Sequence, residues 1–277
     1  MKRQLAMAGL FLAVCALVCA QNSADRVTIP ARPVSGAGSQ RVISVSLVHA
    51  SIVVKTHAGK EVIAEVAGSA QSSGGRAMDG MRRIDSPNIA VDEGTFLSGP
   101  ASAQLLTIHV PFRNGRQRDL TLTVPVDTAL NLKTTHGDIT VEGVHGEIDV
   151  TTLHGNVTLN AVSGTVVASS TVGALRVSMD RLDPAKPLSF STLNGNIDVT
   201  FPTDVKANLK LKADRGEIWS DFDIVLTGTG GQGGSHTTNG AYRITMDRNI
   251  YGSINGGGVE ASFHTVNGKI LIHKKSK

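Results

Sequence analysis

The sequence predicts an all-β fold: a β-solenoid of stacked short strands with a nine-residue repeat, with an antiparallel β-sandwich as the alternative. Three observations lead there. Glycines recur nine residues apart at Gly137, Gly146, Gly155, Gly164 and Gly173. Apolar and polar residues alternate strictly around each of them, as on a strand with one buried face. Beyond the first twenty residues helical periodicity is nearly absent, and aromatic residues make up only 4% of the chain, which suits thin aliphatic layers better than a bulky globular core.

Each unit can be justified in turn. Two residues before the glycines stand Thr135, Val144, Leu153, Val162 and Thr171; two after them, Ile139, Ile148, Val157, Val166 and Leu175; four after them, Val141, Val150, Leu159, Ala168 and Val177. Taken as one set, these positions face the core, and β-branched residues dominate them. The intervening Asp138, Thr140, Glu147, Asp149, Asn156 and Thr158 are polar. Nine is odd, so a period-two strand cannot keep one face buried from unit to unit without a parity reset. Corners at Glu142-Gly143, Thr151-Thr152, Asn160-Ala161 and Ser169-Ser170 would supply it. Degraded copies of the unit occur at 48–54, 193–199, 213–218 and 266–272. A single nine-residue unit buries too few side chains to offset the entropy of ordering it, so the units have to stack.

His136, His145 and His154 precede three of the glycines at the same nine-residue spacing. They are candidate metal ligands if stacking aligns the imidazoles. The same slot, however, holds Ser163, Val172, Asn194, Arg215 and Asn267 elsewhere. A metal ladder would keep to imidazole, whereas a turn accepts His, Asn and Ser. The turn reading is preferred, and no metal, catalytic or cofactor site is assigned. The glycine itself either needs positive φ or admits a neighbouring strand closely.

The first twenty residues read as an export signal: Lys2 and Arg3, an uncharged apolar run from Leu5 to Ala20, and a small-x-small site at Val18-Cys19-Ala20. The alternatives are an uncleaved anchor or a lipid-modified Cys15 or Cys19. Both cysteines of the chain lie in this segment, so the mature chain is expected to have no disulfide. Removing Lys2 and Arg3 from the 27 basic residues leaves 25 against 23 acidic ones. That balance, without a basic stripe, argues against a nucleic-acid partner. No second apolar segment is long enough to span a membrane, so no integral membrane segment is expected after signal cleavage. Residues 21–41 read as a flexible linker, 42–273 as the β-repeat domain, 68–104 as an irregular insertion with a helical turn at Ala77 to Ile84, 228–240 as a Gly-rich loop, and 274–277 as a solvated basic tail.

Two other motifs carry little chemistry. Gly228, Gly230 and Gly233 fit GxGxxG, but a strand-like segment follows in place of the helix that the dinucleotide fingerprint needs. Asp138, Glu147 and Glu217 share the slot after the glycine and could pair as glycosidase carboxylates. Asn156, Thr165, Ala174 and Lys269 occupy the same slot, so it reads as a solvated face. No Ser/His/Asp nucleophile arrangement is recoverable.

The stretch "LTLTVPVDTALNLKTTHGDITVEGVHGEIDVTTLHGNVTLNAVSG", with "FSTLNGNIDVTFP" and "NGGGVEASFHTVNGKILI", resembles the bacterial "putative adhesin" domain family, similar also to head-domain auto-transporter adhesins. The resemblance spans roughly residues 42 to 273. It implies a solenoid or solenoid-like prism and an envelope location, and it carries over no catalytic residue and no cofactor. The expected function is a non-enzymatic exported scaffold at the periplasm or cell surface, with an envelope or surface protein or glycan as ligand. The alternatives are an envelope-stress or signalling accessory that binds a membrane partner, and a polysaccharide-active β-helix enzyme.

Overall fold

A computed structural model describes residues 26–30, 41–67, 89–98, 101–111, 118–230, 234–238, 241–245 and 249–276. Every regular element among them is a β-strand: β1 (Arg26–Ile29), β2 (Arg41–His49), β3 (Ile52–His57), β4 (Val62–Val66), β5 (Ala90–Ser98), β6 (Ala101–His109), β7 (Leu120–Pro125), β8 (Ala129–His136), β9 (Ile139–Glu142), β10 (Ile148–His154), β11 (Val157–Ser163) and β12 (Val166–Val172). There follow β13 (Leu175–Arg181), β14 (Leu188–Asn194), β15 (Ile197–Phe201), β16 (Ala207–Ala213), β17 (Ile218–Ser220), β18 (Val225–Gly230), β19 (Gly234–Thr238), β20 (Ala241–Thr245), β21 (Asn249–Ile254), β22 (Val259–Asn267) and β23 (Ile270–Lys274).

Successive nine-residue units alternate between two sheets. Sheet A runs β1-β4-β7-β3-β9-β11-β13-β15-β23-β17, and sheet B runs β18-β21-β16-β22-β14-β12-β10-β8-β2-β6-β5. Stacked neighbours are therefore two units apart: Ile148 lies beside Val166, and Val157 beside Leu175. The structural repeat is a rung of eighteen residues, one strand from each sheet, of which the nine-residue period is half. Pairing through the middle of the stack is parallel, which settles the choice against an antiparallel sandwich; antiparallel partners (β1, β4, β5, β18, β21) cluster at the two ends. The stack also departs from chain order twice. The β2–β3 rung sits between β6–β7 and β8–β9, and the late β22–β23 rung sits between β14–β15 and β16–β17.

The inward faces of the sheets form one continuous core. Ile148, Val150, Val157 and Leu159 have no solvent exposure, as their place in the alternation predicts. Phe190 and Phe263 of sheet B pack ring to ring at 5.2 Å, and Phe201 of sheet A meets Phe263 edge-on at 6.4 Å. These aromatics fill the rungs nearer the C-terminal end, where the aliphatic layers alone would leave space.

The parity reset falls partly where the sequence places it. In β9 and β11 it lies at Glu142-Gly143 and Asn160-Ala161, where Gly143 has φ 74° and Ala161 φ 52° and β11 is bulged between Leu159 and Val162. Thr151-Thr152 and Ser169-Ser170 are not corners. They lie inside β10 and β12, and the second reset of each rung comes just after, at the glycine. As a consequence Leu153 is not a core residue: it is 42% exposed, and its counterparts Leu193 and Val48 are 45% and 39% exposed. Val144 and Val162, at the same slot in the other half-rung, are fully buried.

Several segment boundaries change. The expected linker holds β1, which pairs with β4. The expected irregular insertion holds β5, which pairs with β6; its helical turn at Ala77 to Ile84 lies outside the described residues, as do residues 1–25 with the export signal. The Gly-rich segment is strand where it is described, in β18 and in β19 paired with β20. The basic tail is anchored at its start: the Lys275 amide donates to the Phe201 carbonyl, its ammonium contacts Asp180 at 2.6 Å, and Lys274 lies over the Phe222 ring.

Candidate functional site

The two edges of the stack, where the chain passes between sheets, hold the residues that the sequence singles out. At the first edge the chain passes from sheet B to sheet A through Gly137, Gly155, Gly173, Gly195, Gly268 and Gly216. The backbones here pack directly on one another. A Cβ on Gly155 would stand 2.0 Å from the Gly137 carbonyl oxygen, and one on Gly173 1.9 Å from that of Gly155. Close approach is thus the requirement that keeps this column glycine.

Two side-chain ladders lock the same edge. Three residues before each of these glycines except Gly216 stands a buried hydroxyl: Thr134, Thr152, Ser170, Thr192 and Thr265. Each donates to the carbonyl at the corner of the neighbouring rung, at 3.0–3.3 Å. The slot after the glycine forms the second ladder. The Asn156 amide donates to Asp138 Oδ1 at 2.7 Å, the Ala174 amide to Asn156 Oδ1 at 3.0 Å, and the Lys269 amide to Asn196 Oδ1 at 2.9 Å. Asp138 therefore caps backbone, and this part of the slot is not simply a solvated face. Asp138 and Glu217 share this edge. Glu147 lies at the other, so the three do not form a carboxylate group. Glu217 bonds Lys269 and the Trp219 ring N–H, and these two donors hold its carboxyl below the ordinary value.

The histidines divide in the same way. His136 and His154 are neighbours in one column, joined by His49 and continued by Val172, Asn194 and Asn267. The three imidazoles stack with ring centroids 4.8 and 4.7 Å apart and planes within 4°. The spacing is that of adjacent strands, so the rings lie face to face and no shared point is surrounded by their nitrogens. His145 stands at the opposite edge. Among the described residues no group of three or more His, Cys, Asp or Glu is placed to hold a metal ion. The exposed Leu153, Leu193 and Val48 flank the imidazole column, and Val172 interrupts it. The result is a strip of aliphatic and imidazole groups along this edge of sheet B.

The second edge, from sheet A back to sheet B, aligns Asp127, His145 and Ser163 on successive rungs, with Arg181 beside Ser163 on the next. Sequence reading found no Ser/His/Asp arrangement because these residues are eighteen apart, a spacing that means proximity only once the rung length is known. The alignment does not make a triad. No hydrogen bond or ion pair joins the three side chains, whereas nucleophile activation requires contact at about 2.6–3.2 Å. They line a cleft of 340 Å³ together with Arg181, at the end of β13, and Asp183 and Lys186 of the β13–β14 turn.

Comparison with known proteins places the fold. No curated protein sequence matches the chain. A crystal structure of a "putative cell adhesion protein" from Clostridium sporogenes aligns over 91% of this chain and 99% of its own, at 9% identity and a TM-score of 0.48. One of a "putative adhesin" from Bacteroides fragilis aligns over 91% and 97%, at 12% identity and a TM-score of 0.37. Residues 118–273, more than half of the sequence, match the Toastrack DUF4097 family, and the chain belongs to that family.

Proposed function

We propose that the chain is a non-enzymatic, exported β-repeat scaffold that presents a contact surface to a protein or glycan of the cell envelope. The observation that carries this reading is the strip at the first edge. Leu153, Leu193, Val48 and Val172 are large apolar residues exposed together beside a fixed stack of imidazoles, on a backbone too tightly packed to rearrange. Exposed apolar groups gathered along one line mark interaction surfaces more often than isolated ones do. The glycine corners and the two ladders explain the rigidity, and the apolar run from Leu5 to Ala20 supports export. The stacked repeat and its outward-facing strip support an adhesive or structural role at the periplasm or cell surface.

The test is co-sedimentation of the purified mature chain with isolated cell envelopes, with soluble saccharide measured in the supernatant. The expected result is saturable binding without saccharide release, weakened at least ten-fold by the double change Leu153→Ser and Leu193→Ser while the melting curve stays in place. Release of reducing saccharide would make the chain an enzyme. Binding that is indifferent to the strip would remove the strip from the account.

A further inference from the structure

The cleft at the second edge lies away from the strip and does not depend on it. Its lining is unusual in its charges. Arg181, the last residue of β13, and Lys186, on the turn that follows, both line it, and neither makes a side-chain hydrogen bond or ion pair with a described residue. The nearest carboxylate on their turn, Asp183, is engaged by its own loop: its Oδ1 accepts the Ala185 amide at 3.0 Å, and its carbonyl accepts the Lys186 amide at 2.9 Å. Asp127, likewise without a side-chain partner among the described residues, also lines the cleft, and along the edge His145 and Ser163 stand between it and Arg181, Ser163 only 6% exposed. A guanidinium fork and an ammonium suit a carboxylate. A carboxylate and a hydroxyl suit ring hydroxyls, which can donate to Asp127 and exchange hydrogen bonds with Ser163 and His145. A bare anion filling the cleft would gain from Arg181 and Lys186 and be repelled by Asp127 and Asp183. The volume of 340 Å³ falls within the range of small-molecule sites, and a polar lining suits a polar ligand.

We propose that this cleft binds the carboxylate-bearing ring of an acidic saccharide, with Arg181 and Lys186 on the carboxylate and Asp127, His145 and Ser163 on the ring hydroxyls. Asp127, His145, Ser163 and Arg181 are placed by the stack itself, one per rung, and Lys186 by the β13–β14 turn, so the site is formed before ligand arrives.

Titration calorimetry on the full mature chain tests this with three probes: a galacturonic acid trisaccharide, the matched neutral galactose trisaccharide, and inorganic phosphate. The acidic trisaccharide should bind, and the other two should bind at least ten-fold more weakly. Arg181→Met and Lys186→Met should each weaken the acidic trisaccharide at least ten-fold. Arg176→Met, which removes the same charge from the outer face of β13, should leave it unchanged. Melting curves accompany each variant; should Arg181→Met lower the melting temperature, Lys186→Met decides alone. Equal binding of the neutral sugar, equal binding of phosphate, the same loss in Arg176→Met, or no binding of the acidic trisaccharide would each overturn the proposal.

Discussion

Substitution of single glycines by alanine separates the two reasons a corner can demand glycine, because three positions differ in which reason applies. Gly256 has φ +83° and nothing within 4 Å of an added Cβ. Gly256→Ala therefore meets left-handed backbone strain alone, about 1–2 kcal/mol. Gly146 is the reverse case. Its φ is not left-handed, but an added Cβ would stand 2.2 Å from the Thr128 carbonyl oxygen and 2.6 Å from its carbon. Those are backbone atoms, so the rungs themselves must part. The bonds at risk are His145 N–H to the Val126 carbonyl, 2.8 Å, and Leu130 N–H to the Glu147 carbonyl, 2.7 Å. At about 0.5–1.5 kcal/mol each, Gly146→Ala should cost about 1–3 kcal/mol. Gly155 combines both, with φ +156° and the Gly137 oxygen 2.0 Å away. Parting the rungs there threatens the bond from Gly137 N–H to the His154 carbonyl and the one from the Thr152 hydroxyl to the Gly137 carbonyl. Strain of about 1–3 kcal/mol added to two hydrogen bonds gives about 2–6 kcal/mol. Urea unfolding followed by far-ultraviolet circular dichroism measures all three as midpoint shifts at constant slope. The order Gly155→Ala, Gly146→Ala, Gly256→Ala, from most to least destabilised, is the expected result. If Gly146→Ala proves neutral while Gly256→Ala is costly, the corners select glycine for φ and the close-packed column is refuted.

Other outcomes follow from the same geometry. Ile148→Asp places an unpaired charge at a position with no exposure and should cost about 3–5 kcal/mol, whereas Asp149→Asn on the outer face should be nearly silent in the same urea assay. Changing His136, His145 and His154 together to Asn should leave the melting temperature within a few degrees, since Asn194 and Asn267 already occupy the column of His136 and His154 and the slot before the glycine at the other edge accepts Ser163 in place of His145; a stoichiometric zinc-induced rise in the wild type that the triple variant lacks would restore a metal role. Asp221 accepts hydrogen bonds from His273 and the Lys274 amide, which hold its carboxyl below the ordinary value of 3.8. Its stabilising contribution is thus present above that value and is lost as pH falls through the lower folded-state value. Asp221→Asn should flatten the acid end of the pH–stability curve below about pH 4 by removing the small contribution present at neutral pH, while leaving the stability in strong acid nearly unchanged. Mass spectrometry of the exported protein should find a chain that begins near Gln21, and an intact Met1 or a lipid on Cys15 or Cys19 would contradict the signal assignment.

The buried face was legible because alternation and β-branching report burial directly: Ile139, Ile148, Val157, Val166 and Leu175 all reach the core. The rung was not, because the two half-rungs share a glycine and an apolar pattern while their corners differ. Only the burial of the slot two before the glycine distinguishes them, and Leu153 and Val162 look alike in sequence. A signal did exist. Thr or Ser stands three residues before Gly137, Gly155, Gly173, Gly195 and Gly268, and not before Gly146 or Gly164, so the hydroxyl ladder marks every second unit. The degraded copies at 48–54, 193–199, 213–218 and 266–272 all fall at that same edge. Reading Thr151-Thr152 as a corner took the polar character of Thr152 for exposure, when its hydroxyl is buried on a carbonyl. The cleft was illegible for another reason: Asp127, His145, Ser163 and Arg181 become neighbours only through an eighteen-residue register, and Lys186, on the loop that completes it, carries no local pattern.

The central claim is that neighbours in the stack are eighteen residues apart and that units nine apart lie on opposite edges. Cysteine pairs in a chain with Cys15 and Cys19 changed to Ser test it most directly. Parallel neighbours place Cα atoms about 4.8 Å apart, within the roughly 4.4–6.8 Å that a disulfide spans. The pair His136→Cys with His154→Cys, adjacent in register, should therefore oxidise quantitatively in the folded protein, as read by intact mass and thiol labelling. The pair His136→Cys with His145→Cys should stay reduced under the same conditions. The reverse outcome, with the nine-apart pair closing and the eighteen-apart pair remaining open, would contradict the two-sheet rung.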